Sequence, residues 1–155
     1  MTRTIMVEPT TGKTESIFHT IRYWRDISDY RVRGLLCGAF EGGSHYWACN
    51  ASYNLRDGLT IQDFKEGGSE ANKVGDYYPS IQLVPFVEGC SVTLEDCEEG
   101  TVFEKVLNRG TMAKGLDVMA EKYPRHFQNF IDGNDDCETS DVFLQCCLLG
   151  EIVFG

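Results

Sequence analysis

Two carboxylates in this chain share one local grammar. Glu41 follows an apolar helical stretch and precedes Gly42, Gly43 and an aromatic run through Tyr46 and Trp47; Glu151 follows Gly150 and precedes Ile152, Val153 and Phe154. A helix C-terminus carries partial negative charge, so it repels a carboxylate by roughly several tenths of a kcal/mol, and burial costs more unless a partner is present. Glu151 therefore points to solvent, or it holds an arginine, a pair of backbone amides or a ligand. Should Glu41 and Glu151 converge, they could bind a hard metal or separate their pKa values for acid–base work. Structural partners are the plainer explanation for both.

Gln145 is the third polar group of interest. It lies inside the apolar run Val142–Leu149, and an unpaired buried amide costs roughly 1–3 kcal/mol. The run predicts a buried helix with Gln145 tying it to a loop. Other signals fail on spacing. The segment 132–137 begins like a calcium loop, but Cys137 takes the glycine position and Phe143 that of the bidentate glutamate. His19, His45 and His126 share no metal-ligand spacing, and His45 and Cys49 lie roughly 13 Å apart on an extended strand. No glycine run stands between a strand and a helix as a phosphate loop requires. Tyr46, Trp47, Tyr53, Tyr77 and Tyr78 could stack a base or sugar, although an aromatic strand is more often core. No catalytic residue, metal ligand or cofactor is assigned.

These groups need elements to position them. Residues 1–25 suggest a strand and then a loop or short helix, with Ile5, Val7, Ile17 and Ile21 as its apolar points. A helix then starts near Asp26 or Ser28 and buries Val32, Leu35, Leu36, Ala39 and Phe40 at helical spacing. Gly34 and Gly38 on a neighbouring stripe suggest a closely packed backbone, and Gly42–Gly43 reads as the C-cap. His45–Tyr53 reads as a strand, 56–78 as a long loop, and Ser80–Val87 with Cys90–Leu94 as a hairpin turning at Glu88–Gly89. A third strand is expected at Thr101–Leu107. Thr111 is the expected cap of a helix burying Met112, Leu116, Met119, Ala120 and Tyr123; Pro124 breaks it before one short turn, and Ser140 caps the last helix.

The whole reads as one α+β domain over 1–155, a mainly antiparallel sheet of three to four strands with helices on one face. Residues 1–25 form a loosely attached arm. The chain is long enough to bury a core without staples. Its seven cysteines are odd in number, scattered and without a CxxC, which points to core thiols in a reducing cytosol. No apolar run reaches the ~20 residues of a membrane span, and the start lacks a secretory pattern, so a cytoplasmic protein is expected. A formal charge of −10 disfavours direct contact with nucleic acid and suits a basic protein partner, although maintaining solubility is the plainer reason for acidity.

LeuLeuCysGlyAlaPheGluGlyGlySerHisTyrTrp (35–47) and AspValPheLeuGlnCysCysLeuLeuGlyGluIleValPheGly (141–155) resemble two segments of a family of small proteins from bacteriophages and other mobile elements. Cys146, Cys147 and Phe154 depart from that pattern in core-compatible ways. The resemblance covers about a fifth of the chain, carries no activity, and implies a phage or mobile-element origin with an accessory, anti-defence type of role. The leading expectation is a non-catalytic protein that binds a host or phage macromolecule. A small-ligand binder for a nucleotide signal is the alternative, using Glu41, Gly42, Gly43, Tyr46 and Trp47 of the turn, the long 56–78 loop, and Gln145 and Glu151 as polar anchors. A hydrolase built on Glu41 and Glu151 comes third.

Overall fold

A computed structural model describes residues 3–7, 23–74 and 79–155. Ile17, Ile21, Tyr77 and Tyr78 lie outside the described residues. The protein is α+β, with strands in two antiparallel pairs. In the first, β1 (Arg3–Val7) runs against β2 (Tyr23–Ile27); in the second, β3 (Ala48–Asn54) runs against β4 (Ser91–Asp96).

Among the described residues, six α-helices supply most of the core. Helix α1 (Asp29–Gly38) is capped by Ser28, whose hydroxyl accepts from the Arg31 amide. Val32, Leu35 and Leu36 are buried along its inner face, as the spacing predicts. The helix then widens into a π-turn over Ala39–Gly43, closed by the Ser44 amide donating to the Ala39 carbonyl. The break is therefore a kink within the wide turn, where Gly42 leaves helical geometry (φ 171°, ψ −31°). The two glycines of α1 separate in role. A side chain at Gly38 would strike Ser140 of the last helix, while Gly34 faces open space.

Several expected strands take other forms. Residues 44–47 make a turn, so the strand expected from His45 begins at Ala48. Within it Asn50 adopts φ 46°, and the register shifts between Cys49 and Ser52. This bulge breaks the two-residue alternation on which His45, Trp47, Cys49, Ala51 and Tyr53 would have shared a face. The long loop contains a 3₁₀ turn (Ile61–Phe64), held by a Thr60/Asp63 capping box, and a short helix α2 (Ser69–Val74). The first arm of the expected hairpin is helical: α3 (Ser80–Leu83) runs into a 3₁₀ turn at Val84–Phe86. A short apolar run is ambiguous between strand and helix, and here Pro79 starts the helix and Pro85 sits in the turn. The third strand reduces to two isolated bridges, Val92 with Leu107 and Glu95 with Val102.

The C-terminal half is a helical layer. Asn108, rather than Thr111, caps α4 (Arg109–Lys122), and Thr111 answers from the N3 position to complete a capping box. After Pro124, α5 (Pro124–Asp132) runs two turns instead of one and ends on Gly133 in the left-handed region, φ 77°. Asp136, rather than Ser140, caps α6 (Cys137–Leu148), moving its start one turn earlier. Thr139 through Leu148 are all buried. This all-round burial is the expected property of a helix apolar on every side, and α6 packs on α1, α4, α5 and the π-turn. Gly115 lets α4 approach α6 closely: an added β-carbon would lie 2.3 Å from the Cys147 sulfur and 2.9 Å from its Cα.

Candidate functional site

The two segments flagged at the outset meet. The π-turn delivers Ser44, Tyr46 and Trp47 to one side of α6, and Gly43 makes this possible. A β-carbon there would lie 2.5 Å from the Cys137 carbonyl oxygen, so only glycine lets the turn seat against the start of α6. At Gly42 nothing lies within 4 Å, so packing requires only the second glycine of the pair.

What the turn meets is Asp141, 7% exposed. Its Oδ1 accepts from the Ser44 hydroxyl at 2.7 Å and the Trp47 indole N–H at 2.6 Å. Its Oδ2 accepts from the Tyr46 hydroxyl at 2.6 Å and the Gln145 Nε2 at 2.9 Å. A carboxylate offers about four lone-pair sites, and four neutral donors occupy them. Tyr46 leaves half of its surface in solvent yet turns its hydroxyl inward, where burial and then the Asp141 carboxylate push its pKa up to about 12. It therefore holds its proton and donates.

Gln145 continues the network into the segment that follows α6. Its Oε1 accepts from the Val153 and Phe154 amides at 2.8 and 2.9 Å, and its Nε2 donates to the Phe154 carbonyl at 3.1 Å. One side-chain amide thus does for residues 153–154 what a neighbouring strand would do. Phe154 stacks flat on Trp47, centroids 5.2 Å apart and planes 10° from parallel, while Phe103 meets the same indole edge-on at 5.4 Å. Upstream, the Ile152 amide donates to the Tyr123 hydroxyl and Lys122 donates to the Gly150 carbonyl. Residues 152–154 are held at several points, with Gly150 at φ 78° making the turn out of the helix.

Of the candidate residues, Tyr46, Trp47 and Gln145 converge on this cluster. Gly42 and Gly43 line an open groove beside it, about 480 Å³ in volume, together with His126, Cys137, Glu138 and Phe154. Glu41 and Glu151 are exposed, and neither lines the groove. The Glu41 carboxylate lies against the Cys37 thiol on its own helix and helps to push that thiol upward, after burial. Glu151 thus takes the solvent-facing alternative. The central carboxylate is Asp141, with Ser44 beside it. A signal for it was present: Asp141 and Gln145 are four apart, a polar pair on one stripe of an otherwise apolar helix.

The cluster's chemistry is that of a clasp. Each polar atom with reactive potential already serves another, and Trp47 (1% exposed) and Gln145 (0%) lie out of reach of solvent. Among the described residues no group of three or more histidine, cysteine or carboxylate side chains is placed to hold a metal ion. No described helix is long and apolar enough to cross a membrane. Compared with known proteins, the chain matches no family, no curated protein and no solved structure.

Proposed function

We propose that this is a non-catalytic binding protein, an accessory protein of a bacteriophage or mobile element that acts in the host cytoplasm on a host or phage macromolecule. The observation that carries the reading is an exposed apolar ledge fixed in place by the clasp. Tyr46, Ile152 and Val153 are 50%, 39% and 59% exposed; Asp141 holds the Tyr46 hydroxyl, and Tyr123 and Gln145 hold the backbone amides of Ile152 and Val153. Exposed apolar side chains grouped on ordered backbone suit recognition, because little entropy remains to be lost on binding. Exposed Glu138 lines the groove beside this region, and a chain charge of −10 favours a basic protein over nucleic acid. The origin rests on the resemblance of segments 35–47 and 141–155, which are the two that the clasp joins.

The test is capture from bacterial host lysate at low ionic strength with three baits: the natural protein, Val153→Asp, and Glu88→Lys on the turn before β4. The expected result is a partner held by the natural protein and by Glu88→Lys but lost from Val153→Asp. No retained partner, or the same set on Val153→Asp, would overturn the reading.

A second reading, a small-ligand protein, draws on the groove. Its lining includes Glu138 and Asp141 but neither lysine nor arginine, so a neutral or cationic ligand fits it better than a nucleotide phosphate. A thermal-shift screen separates the two readings, since a ligand at 100 times its Kd adds about 2.7 kcal/mol.

A further inference from the structure

The outer face of the β3–β4 ladder brings two thiols together. Ala48 stands opposite Asp96 and Cys49 opposite Glu95. The pairing continues one step past the strand, where the Cys97 amide donates to the Trp47 carbonyl at 3.0 Å. Opposed residues share a face of the ladder, as do alternate residues along a strand. Val92 and Leu94 point into the core, so Thr93, Glu95 and Cys97 point outward, and Cys49 with them.

Cys49 and Cys97 are therefore diagonal neighbours, a relation that in a regular ladder sets Cα atoms ~7–8 Å apart and β-carbons nearer. Here the ladder is not regular. The Asn50 bulge follows Cys49 directly, and Cys97 belongs to the turn after β4. Bulges bend and twist a strand locally, which lets the side chains approach. The Cys97 thiol is in hydrogen-bond contact with the Cys49 sulfur and also lies 3.6 Å from the His45 carbonyl. Cys49 is half-buried and Cys97 exposed; Cys37 is half-buried and Cys137 exposed on other elements, and Cys90, Cys146 and Cys147 are buried.

We propose that Cys49 and Cys97 form a reversible redox pair, converted to a cross-strand disulfide by a low-molecular-weight disulfide such as oxidised glutathione. In the first step the Cys49 thiolate attacks one sulfur of the oxidant. The oxidant's S–S bond breaks, and one glutathione leaves as thiolate and takes up a proton. In the second step the Cys97 sulfur attacks Cys49 in the mixed disulfide. The second glutathione leaves, and the Cys97 proton passes to it. Two protein thiols are oxidised to one disulfide, and one glutathione disulfide is reduced to two thiols. The order follows from the contact: the Cys49 sulfur, then burial, pushes the Cys97 thiol up to about 11, so Cys97 keeps its proton while Cys49 attacks. The new bond would close residues 49–97 into a loop beside the turn that carries Ser44, Tyr46 and Trp47. This pair is independent of the binding reading above.

The experiment incubates the reduced full chain with oxidised glutathione and reads intact mass and peptide maps. In the natural protein the peptides carrying Cys49 and Cys97 are expected to appear as a 49–97 cross-link, two hydrogens lighter and without glutathione on either, and to revert with dithiothreitol, whereas exposed Cys137 takes up a glutathione of its own. Cys97→Ser is expected to keep one glutathione on Cys49, and Cys49→Ser, which removes the first cause of the raised Cys97 thiol, to keep one on Cys97. Stable glutathione adducts on the natural protein without the cross-link would overturn the proposal. So would an unreactive Cys49 in Cys97→Ser.

Discussion

Replacing Asp141 tests whether the clasp is a structural unit. Asp141→Ala removes the acceptor of four donors at once. Two of them, the Ser44 hydroxyl and the Trp47 indole, belong to residues only 1% exposed and cannot turn to water. Each buried donor left without a partner costs about 1–3 kcal/mol. The Tyr46 hydroxyl stands at the edge and is readily rehydrated, and Gln145 keeps its bond to the Phe154 carbonyl. The expected loss is therefore roughly 3–5 kcal/mol, a large part of the 5–15 kcal/mol that holds an ordinary domain together. Asp141→Asn discriminates the cause. Its carbonyl oxygen can still serve Ser44 and Trp47, while its amino group faces Tyr46, whose oxygen can accept, and Gln145 Nε2, which cannot. One donor–donor contact then remains, for a loss of about 1–2 kcal/mol. Urea unfolding read by tryptophan fluorescence and by circular dichroism gives both numbers. If Asp141→Ala unfolds within 1 kcal/mol of the natural protein, or if the asparagine and alanine variants are equal, the network is not what fixes the turn to α6.

Two further expectations follow from packing and charge. Gly115→Ala should lose about 1–3 kcal/mol, because its β-carbon would strike the Cys147 backbone as well as its sulfur. Gly34→Ala, with nothing within 4 Å, should gain about 0.5–1 kcal/mol; thermal melts showing the reverse order would contradict the close α4–α6 approach. Asp29 accepts both arms of the Arg109 guanidinium, at 2.8 and 2.5 Å, and that arginine holds its carboxyl below the ordinary 3.8. A carboxyl depressed in the folded state adds stability in full above its unfolded value and loses it as pH falls through the folded one. The stability gap between the natural protein and Asp29→Asn should thus be constant near neutrality and close below about pH 4, as measured by urea midpoints across pH; a gap unchanged down to pH 2 would refute the pairing.

Helices were legible in the sequence where their pattern was long. The 3.6-residue period predicted the burial of Val32, Leu35, Leu36 and Ala39, of Met112, Leu116 and Met119 on α4, and of the apolar run on α6, whereas Phe40, Ala120 and Tyr123 are only half-buried at the rim. Ends were harder. Asp136 and Ser140 both fit a cap, and choosing between them depends on Ser140 packing against Gly38, a contact between residues about a hundred apart. The strands were least legible. Residues 80–87 and 101–107 are apolar enough for sheet, but the structure spends the first on helical turns and leaves the second joined to β4 by single bridges. A local pattern cannot report whether a partner edge is free.

The candidate site shows the same division at the level of single side chains. Residue type alone singled out Gln145, since an amide in an apolar helix must be bonded, and its bonds to residues 153 and 154 are the loop-tying role expected of it. Glu41 and Glu151 drew notice by sitting beside glycine at helix ends, but repulsion from a helix C-terminus is relieved most cheaply by pointing outward, and both are exposed. The carboxylate worth burying was the one with donors already arranged around it. Asp141 has three of them within four residues of one turn, Ser44, Tyr46 and Trp47, and a fourth on its own helix. Without those donors, burying its charge would cost several kcal/mol; with them, the same charge fixes where the turn, the helix and residues 152–154 lie. The ledge these residues present is thus held by a polar group beneath it, so weakening the clasp should also weaken whatever binds above.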